Sequence, residues 1–121
     1  MISQLNPSDF AAWRDRAKEG LAPTALPVVL DVREPWEVQT ASVKEDGFTL
    51  LTLAMREIPA RLTELQETLG TDHPIACLCH HGMRSLQVAN YLAQAGFAEV
   101  VTLQGGIDAW TQQVDPSVPR Y

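Results

Sequence analysis

The feature that most restricts the folds open to this chain is an alternation. Short apolar runs, VVLD (28–31), FTLLTL (48–53), IACLC (75–79) and AEVVTL (98–103), are separated by stretches with helical spacing. Each run is too brief for a helix and is bounded by Gly, Pro or polar turn residues, which suits a strand buried on both faces. Strands alternating with helices form βαβ units with right-handed crossovers, so the chain is expected to build an α/β domain around a mostly parallel sheet covered on both sides.

The intervening segments carry their own start and stop signals. Asn6 or Ser8 caps a first helix, Pro7 suits its first turn, Phe10, Trp13 and Ala17 share a face, and Gly20 ends it. LAPTALP then reads as a connector. Pro35 starts a short helix, and Pro59 starts a longer one with Leu62, Leu65 and Leu69 on one stripe and Gly70 as its stop. After HHGMR, helical spacing resumes with Leu86, Ala89 and Ala93 on one face and Gly96 at the end. GGIDAWTQQ forms the last helix with Ile107 and Trp110 toward the core, and VDPSVPRY, with its prolines, is expected to run as an extended strap. The chain has no internal repeat, low-complexity stretch or linker.

Its 121 residues and 45% hydrophobic content fit one domain, 1–121, with a single core. The formal net charge of -6 and the absence of any Lys/Arg run argue against a nucleic-acid partner. MISQLNPSDF has neither a basic nor an apolar leader region, and no apolar run approaches the roughly 20 residues of a membrane helix, so a cytoplasmic protein without a membrane partner is expected. The 2 cysteines do not make a disulfide framework and are expected as thiols.

Both cysteines fall in CLCHHGMRS (77–85), together with His80, His81, Gly82, Met83, Arg84 and Ser85. In a parallel sheet, ligand sites lie beyond the carboxyl ends of the strands. Cys79 sits at such an end, and residues 80–84 form a tight turn into the next helix, which is expected to begin near Arg84 or Ser85. Backbone N–H groups and a helix N-terminus converging there favour negative charge, and a thiol in such a place ionises more readily than a free one. Gly82 permits the inward turn, and Arg84 supplies a fork-shaped positive charge suited to an oxyanion. These parts describe a nucleophilic cysteine at the bottom of an anion pocket.

The pattern of Cys, two residues, Gly, one residue, Arg, Ser after an apolar strand resembles the active-site loop of rhodanese-family sulfurtransferases. LDVREPWE (30–37) is similar to that family's DVRE-type signature, and LQGGIDAW (103–110) to its closing GG-x-x-AW element. The resemblance covers nearly the whole chain and implies a single rhodanese-like domain with a five-stranded parallel sheet flanked by helices on both faces. It also implies transfer of a sulfane sulfur through a cysteine persulfide. One segment departs from the pattern: TASVKEDGFTLLTLAM (40–55) has no His and no Pro-Gly where the family commonly carries an HIPGA-like stretch.

The resemblance assigns Cys79 as the sulfur acceptor and carrier. Its thiolate would attack the outer sulfur of a thiosulfate-like or persulfide donor, and the terminal sulfur of the resulting persulfide would pass to cyanide or to a protein or small-molecule thiol. Arg84 would hold the donor's anionic end, and the N–H groups of residues 80–84 would hold the persulfide's charge. No metal or organic cofactor is required. Between Cys79 and Arg84 lie four residues, whereas the related phosphatases and arsenate reductases place one more. That disfavours a phosphatase on the same scaffold, and the intact Cys, Gly and Arg disfavour a non-catalytic interaction module.

The neighbouring residues receive plainer expectations. Cys77 is expected to pack in the core rather than act as a resolving thiol. Cys77, Cys79, His80 and His81 lack the separations that wrap a tetrahedral metal site. His80 and His81 are expected to rim the pocket, and Ser85 to serve as a helix N-cap or a substrate contact. Asp31 and Arg33 are expected as a buried ion pair that supports the loops. Trp13, Trp36 and Trp110 are expected in core and edge packing, and His73 is a loop residue with no assigned role.

Overall fold

The structure, a computed structural model, describes residues 2–121. Its elements follow one another as β1 (Ser3–Leu5), a 3-10 turn (Pro7–Asp9), α1 (Phe10–Glu19), β2 (Val28–Asp31), α2 (Pro35–Thr40), β3 (Thr49–Thr52), a second 3-10 turn (Met55–Glu57), α3 (Ile58–Leu69), β4 (Ile75–Leu78), α4 (Met83–Gln94), β5 (Val100–Leu103) and α5 (Gly106–Gln113). Five strands form one sheet in the order β1-β5-β4-β2-β3, and every neighbouring pair is parallel.

Side-chain alternation along the strands divides the core into two layers. Val28, Leu30, Ile75 and Cys77 face α3 and α4, where they meet Ile58, Leu65, Val88 and Leu92. Val29, Ala76, Leu78 and Leu103 face the other way, toward Phe10 and Trp13 of α1 and Ile107 and Trp110 of α5. Phe10 packs edge-on against both Phe48 and Trp110, with ring centroids 5.4 and 5.1 Å away.

Three details differ from the sequence reading. β1 pairs with β5 from Ser3↔Val101 to Leu5↔Leu103, although SQL carries no strand signal. β3 is an edge strand and only half buried, because no strand among the described residues pairs with its outer side; Glu45 Oε2 instead accepts the Leu50 N–H at 2.8 Å. α4 is rotated from the expected face: Ser85, Val88, Ala89 and Leu92 are buried while Ala93 is exposed. The divergent segment builds this edge in regular fashion, with Ala41, Val43 and Phe48 in the core and Gly47, at φ 75°, turning the chain beneath Arg14, whose Nη1 donates to the Asp46 carbonyl at 3.0 Å.

The order of the strands fixes where a site can lie. From β2 the chain steps outward to β3, then returns to the opposite side of β2 for β4, so the loops after β2 and β4 diverge and open a crevice between them. β4 is the central strand, and Cys79 immediately follows it.

Candidate active site

Cys79 is 1% exposed, and its Sγ accepts the Gly82 N–H at 3.0 Å. Gly82 is the N-cap of α4 at φ 107°, a conformation that costs little without a Cβ. A Cβ there would also press within 3.1 Å of the Gly105 backbone nitrogen. α4 begins at Met83, so its N-terminus and free N–H groups open toward the sulfur.

The loop is held from below by the start of α5. Ile107 N–H donates to the Cys79 carbonyl at 2.8 Å, and Asp108 N–H to the His80 carbonyl at 3.2 Å. Such an approach requires glycine: a Cβ on Gly106 would lie 2.4 Å from both of those carbonyl oxygens. The GG of LQGGIDAW is thus a backbone-to-backbone contact beneath the cysteine loop.

Arg84, expected to hold the donor's anionic end, is engaged by a carboxylate in this structure. Its Nη1 and Nη2 donate to the two carboxylate oxygens of Glu37 at 2.6 and 2.9 Å, a pair that bridges the crevice between α4 and α2. Glu37 also accepts the Tyr121 hydroxyl at 2.7 Å and the Glu34 N–H at 3.1 Å, the latter as part of a capping box. The hydrogen bonds from Arg84 pull the Glu37 carboxyl down to about 2, against the burial that opposes it, and the guanidinium is correspondingly harder to deprotonate.

Beneath this bridge lies the Asp31–Arg33 pair, fully buried. Arg33 Nη2 reaches Asp31 Oδ2 at 2.6 Å and the Ala41 carbonyl at 2.8 Å, while Nη1 donates to the Tyr121 hydroxyl at 3.0 Å. Burial is the strongest influence on the Arg33 charge and opposes it, but the hydrogen bond and negative charge of Asp31, together with Tyr121, outweigh it and the guanidinium is held more firmly protonated. The pair ties β2, α2 and the tail together below the pocket and does not reach its surface.

His80 and His81 stand at the rim in a stack that also includes Tyr121, with His80 3.9 Å from each of the other two rings. His80 Nε2 lies 2.9 Å from the Tyr121 carbonyl oxygen, so the tail fixes this ring in place. Met83 projects into solvent at 77% exposure, and Trp36, expected in packing, is likewise exposed and meets the Tyr121 ring edge-on.

Ser85 is neither the N-cap nor at the pocket surface. It is fully buried in the first turn of α4, under the sulfur: the Cys79 thiol donates to its Oγ at 3.4 Å, Thr102 Oγ1 donates to it at 2.7 Å, and Ser85 in turn donates to the Gly82 carbonyl at 3.3 Å. Cys77 is a free thiol in the core, and burial pushes its ionisation far up. His73 ties its loop to the Leu26 carbonyl at 2.7 Å. No group of three or more His, Cys, Asp or Glu side chains suited to a metal ion occurs among the described residues, and no helix among them is long and apolar enough to cross a membrane.

Glu37, Tyr121 and Thr102 are the site residues that the sequence reading missed. A carboxylate three residues after Glu34, just inside a Pro-started helix, is a capping-box signal and marks Glu37 for a local role; its pairing with Arg84, 47 residues on, leaves no such mark.

Comparison with known proteins bears on the family and the fold. Residues 11–113 match the family model of the rhodanese-like domain. A sulfurtransferase of Allochromatium vinosum is 34% identical over 98 residues, which cover 81% of this chain and 84% of that protein. A chloroplastic rhodanese-like/PpiC domain-containing protein of Arabidopsis thaliana is 39% identical over 93 residues, but this chain spans only 30% of its length. The crystal structure of a rhodanese-related protein from Thermoplasma volcanium superposes with a TM-score of 0.72 at 26% identity, covering 98% of this chain and 99% of that one. With the family model matched over most of its length and the same five-stranded scaffold, the chain belongs to the rhodanese-like domain family.

Proposed function

We propose that the chain is a sulfurtransferase that carries a sulfane sulfur as a persulfide on Cys79. The observation that carries this reading is the Gly82 N–H on the Cys79 sulfur at 3.0 Å, at the end of the central strand and the start of a helix. A fixed donor and a helix N-terminus aimed at one sulfur stabilise a thiolate, which is both the nucleophile of the first displacement and the leaving group of the second. In the first, the thiolate attacks the outer sulfur of a thiosulfate-like or persulfide donor; the S–S bond of the donor breaks, and sulfite or a thiolate departs with the electron pair. In the second, cyanide or an acceptor thiolate attacks the terminal sulfur of the persulfide, and the electron pair returns to Cys79 Sγ.

Because Arg84 is neutralised by Glu37, the charge that meets the donor comes chiefly from the helix N-terminus and the loop N–H groups. This favours a singly charged persulfide over the thiosulfate dianion as the better donor. The whole chain, 1–121, acts in this reading as one rhodanese domain, working in the cytoplasm, where its cysteines stay reduced.

The test is intact mass. Incubation with thiosulfate or with a small-molecule persulfide adds one sulfur atom to the native protein, cyanide removes it as thiocyanate, and Cys79→Ser takes up none. A protein that gains no sulfur from either donor refutes the reading and leaves a non-catalytic module; turnover of a phosphate ester that vanishes in Cys79→Ser would replace it with a phosphatase.

A further inference from the structure

We infer that Thr102, acting through Ser85, is a positioning residue for the sulfur of Cys79. The inference rests on the reading of Cys79 as the reacting sulfur. The two hydroxyls and the thiol form a buried chain across three elements: Thr102 on β5, Ser85 on α4 and Cys79 after β4, with exposures of 1%, 0% and 1%. The two hydroxyls are enclosed by protein, so each hydroxyl hydrogen is placed on a protein acceptor.

The three distances are unequal, and that inequality carries the inference. Thr102 Oγ1 donates to Ser85 Oγ at 2.7 Å, while Ser85 donates to the Gly82 carbonyl at 3.3 Å and receives the thiol at 3.4 Å. A hydroxyl has one hydrogen and can accept two. With Cys79 as a thiol, Ser85 accepts from both Thr102 and Cys79, and its own hydrogen goes to the long contact with Gly82. When the thiol gives its proton to solvent, Ser85 loses that donor and faces a sulfur anion. Its hydrogen then turns from the Gly82 carbonyl, the weakly held partner, to Sγ.

Throughout, the short bond from Thr102 remains in place. It fixes the Ser85 oxygen and polarises its O–H toward the sulfur, as hydrogen bonds in series do in a low-dielectric interior. No proton is transferred between these groups; a single hydrogen is re-aimed. The thiolate therefore gains a second donor, beside the Gly82 N–H, only in the charged state. The same gain recurs when the acceptor attacks the persulfide, the S–S bond breaks and the electron pair returns to Sγ.

Thr102 faces Cys77 across the sheet, in register, and its side chain touches neither the pocket nor any donor molecule that would enter it. Its effect is thus separable from substrate binding, and it is tested without substrate. The rate at which iodoacetamide alkylates Cys79 is followed against pH in the full chain. Thr102→Val is expected to move the midpoint of that profile upward by about half a pH unit, and Ser85→Ala by about one, while Thr102→Ser restores the original midpoint.

In the Ser85→Ala background, Thr102→Val should add nothing further. Thr102→Ala carries the same expectation as Thr102→Val, so a Val variant too crowded to fold still leaves the question decided. A folded Thr102→Val or Thr102→Ala protein with an unchanged midpoint overturns the inference, as does a shift of equal size with and without Ser85. Sulfur uptake by intact mass is recorded in parallel: a protein that never takes up sulfur but shows these midpoints would refute the sulfurtransferase reading while leaving the hydroxyl chain standing.

Discussion

Replacing Glu37 with glutamine isolates the ion pair that bridges the crevice. In the wild-type protein Arg84, above all, draws the Glu37 carboxyl from its ordinary 4.5 to about 2. At about 1.4 kcal/mol for each pH unit, that displacement corresponds to roughly 3 kcal/mol. The Arg84 side chain is 32% exposed, so solvent screening reduces the figure to about 2 kcal/mol. The Glu37→Gln side chain would keep the shape but lose the charge, and its amide hydrogens would face one of the guanidinium N–H groups.

The sign follows from linkage. A carboxyl held below its unfolded value contributes stability that is fully present above the unfolded pKa and is lost as pH falls through the folded one, here between about pH 5 and pH 2. Urea unfolding of the two proteins should therefore differ by about 2 kcal/mol at neutral pH, with the gap closing as the solution is acidified through that window. Two stability curves that stay parallel down to about pH 3 would refute the reasoning, because a pH-independent gap is packing and not charge. Kinetics supply an independent check: the unpaired guanidinium in Glu37→Gln becomes available to an anionic donor, so half-saturation by thiosulfate should fall several-fold.

Arg84→Ala strands the Glu37 carboxylate in its buried site, and should cost about 3 kcal/mol by denaturant unfolding together with roughly an order of magnitude in thiosulfate use. Gly106→Ala places a methyl 2.4 Å from two loop carbonyls at φ 62°, so sulfur uptake by intact mass should be abolished and thermal unfolding should show a loss of roughly 3 kcal/mol. Iodoacetamide on the native protein should label Cys79, whose sulfur lies at the start of α4 and accepts the Gly82 N–H, and spare Cys77, which lies within β4 and is held protonated by burial, whereas the denatured chain takes two labels.

What the sequence disclosed and what it withheld divide along physical lines. β2 and β4 were legible because a strand covered on both faces is apolar along most of its length, and VVLD and IACL each follow a proline that marks where the run begins. The cysteine loop was legible because nucleophile, glycine and arginine lie within six consecutive positions. β1 was not: a three-residue edge strand with Ser3 and Gln4 exposed has nothing to alternate, and only its partner β5 makes it a strand. The phase of α4 was misread because Leu86 and Ala93 look apolar on paper, while the buried stripe runs through Ser85, whose hydroxyl is accommodated by Thr102 and Cys79. Glu37 and Thr102 escaped for the same reason: a lone Glu in a helix or Thr in a strand acquires its role from neighbours 47 and 17 positions away.

The meeting of Gly106 with the carbonyls of Cys79 and His80 also sets a timetable for the newborn chain. Everything that names Cys79 as a nucleophile to its own backbone, from the strand before it to the helix after it, has been synthesised by residue 94, yet the loop has no floor until residues 105–108 arrive. A chain emerging from the ribosome would carry its cysteine through that interval as an ordinary thiol. On the proposed function its chemistry would begin only when the last helix docks, and incomplete chains would carry no loaded sulfur to misplace.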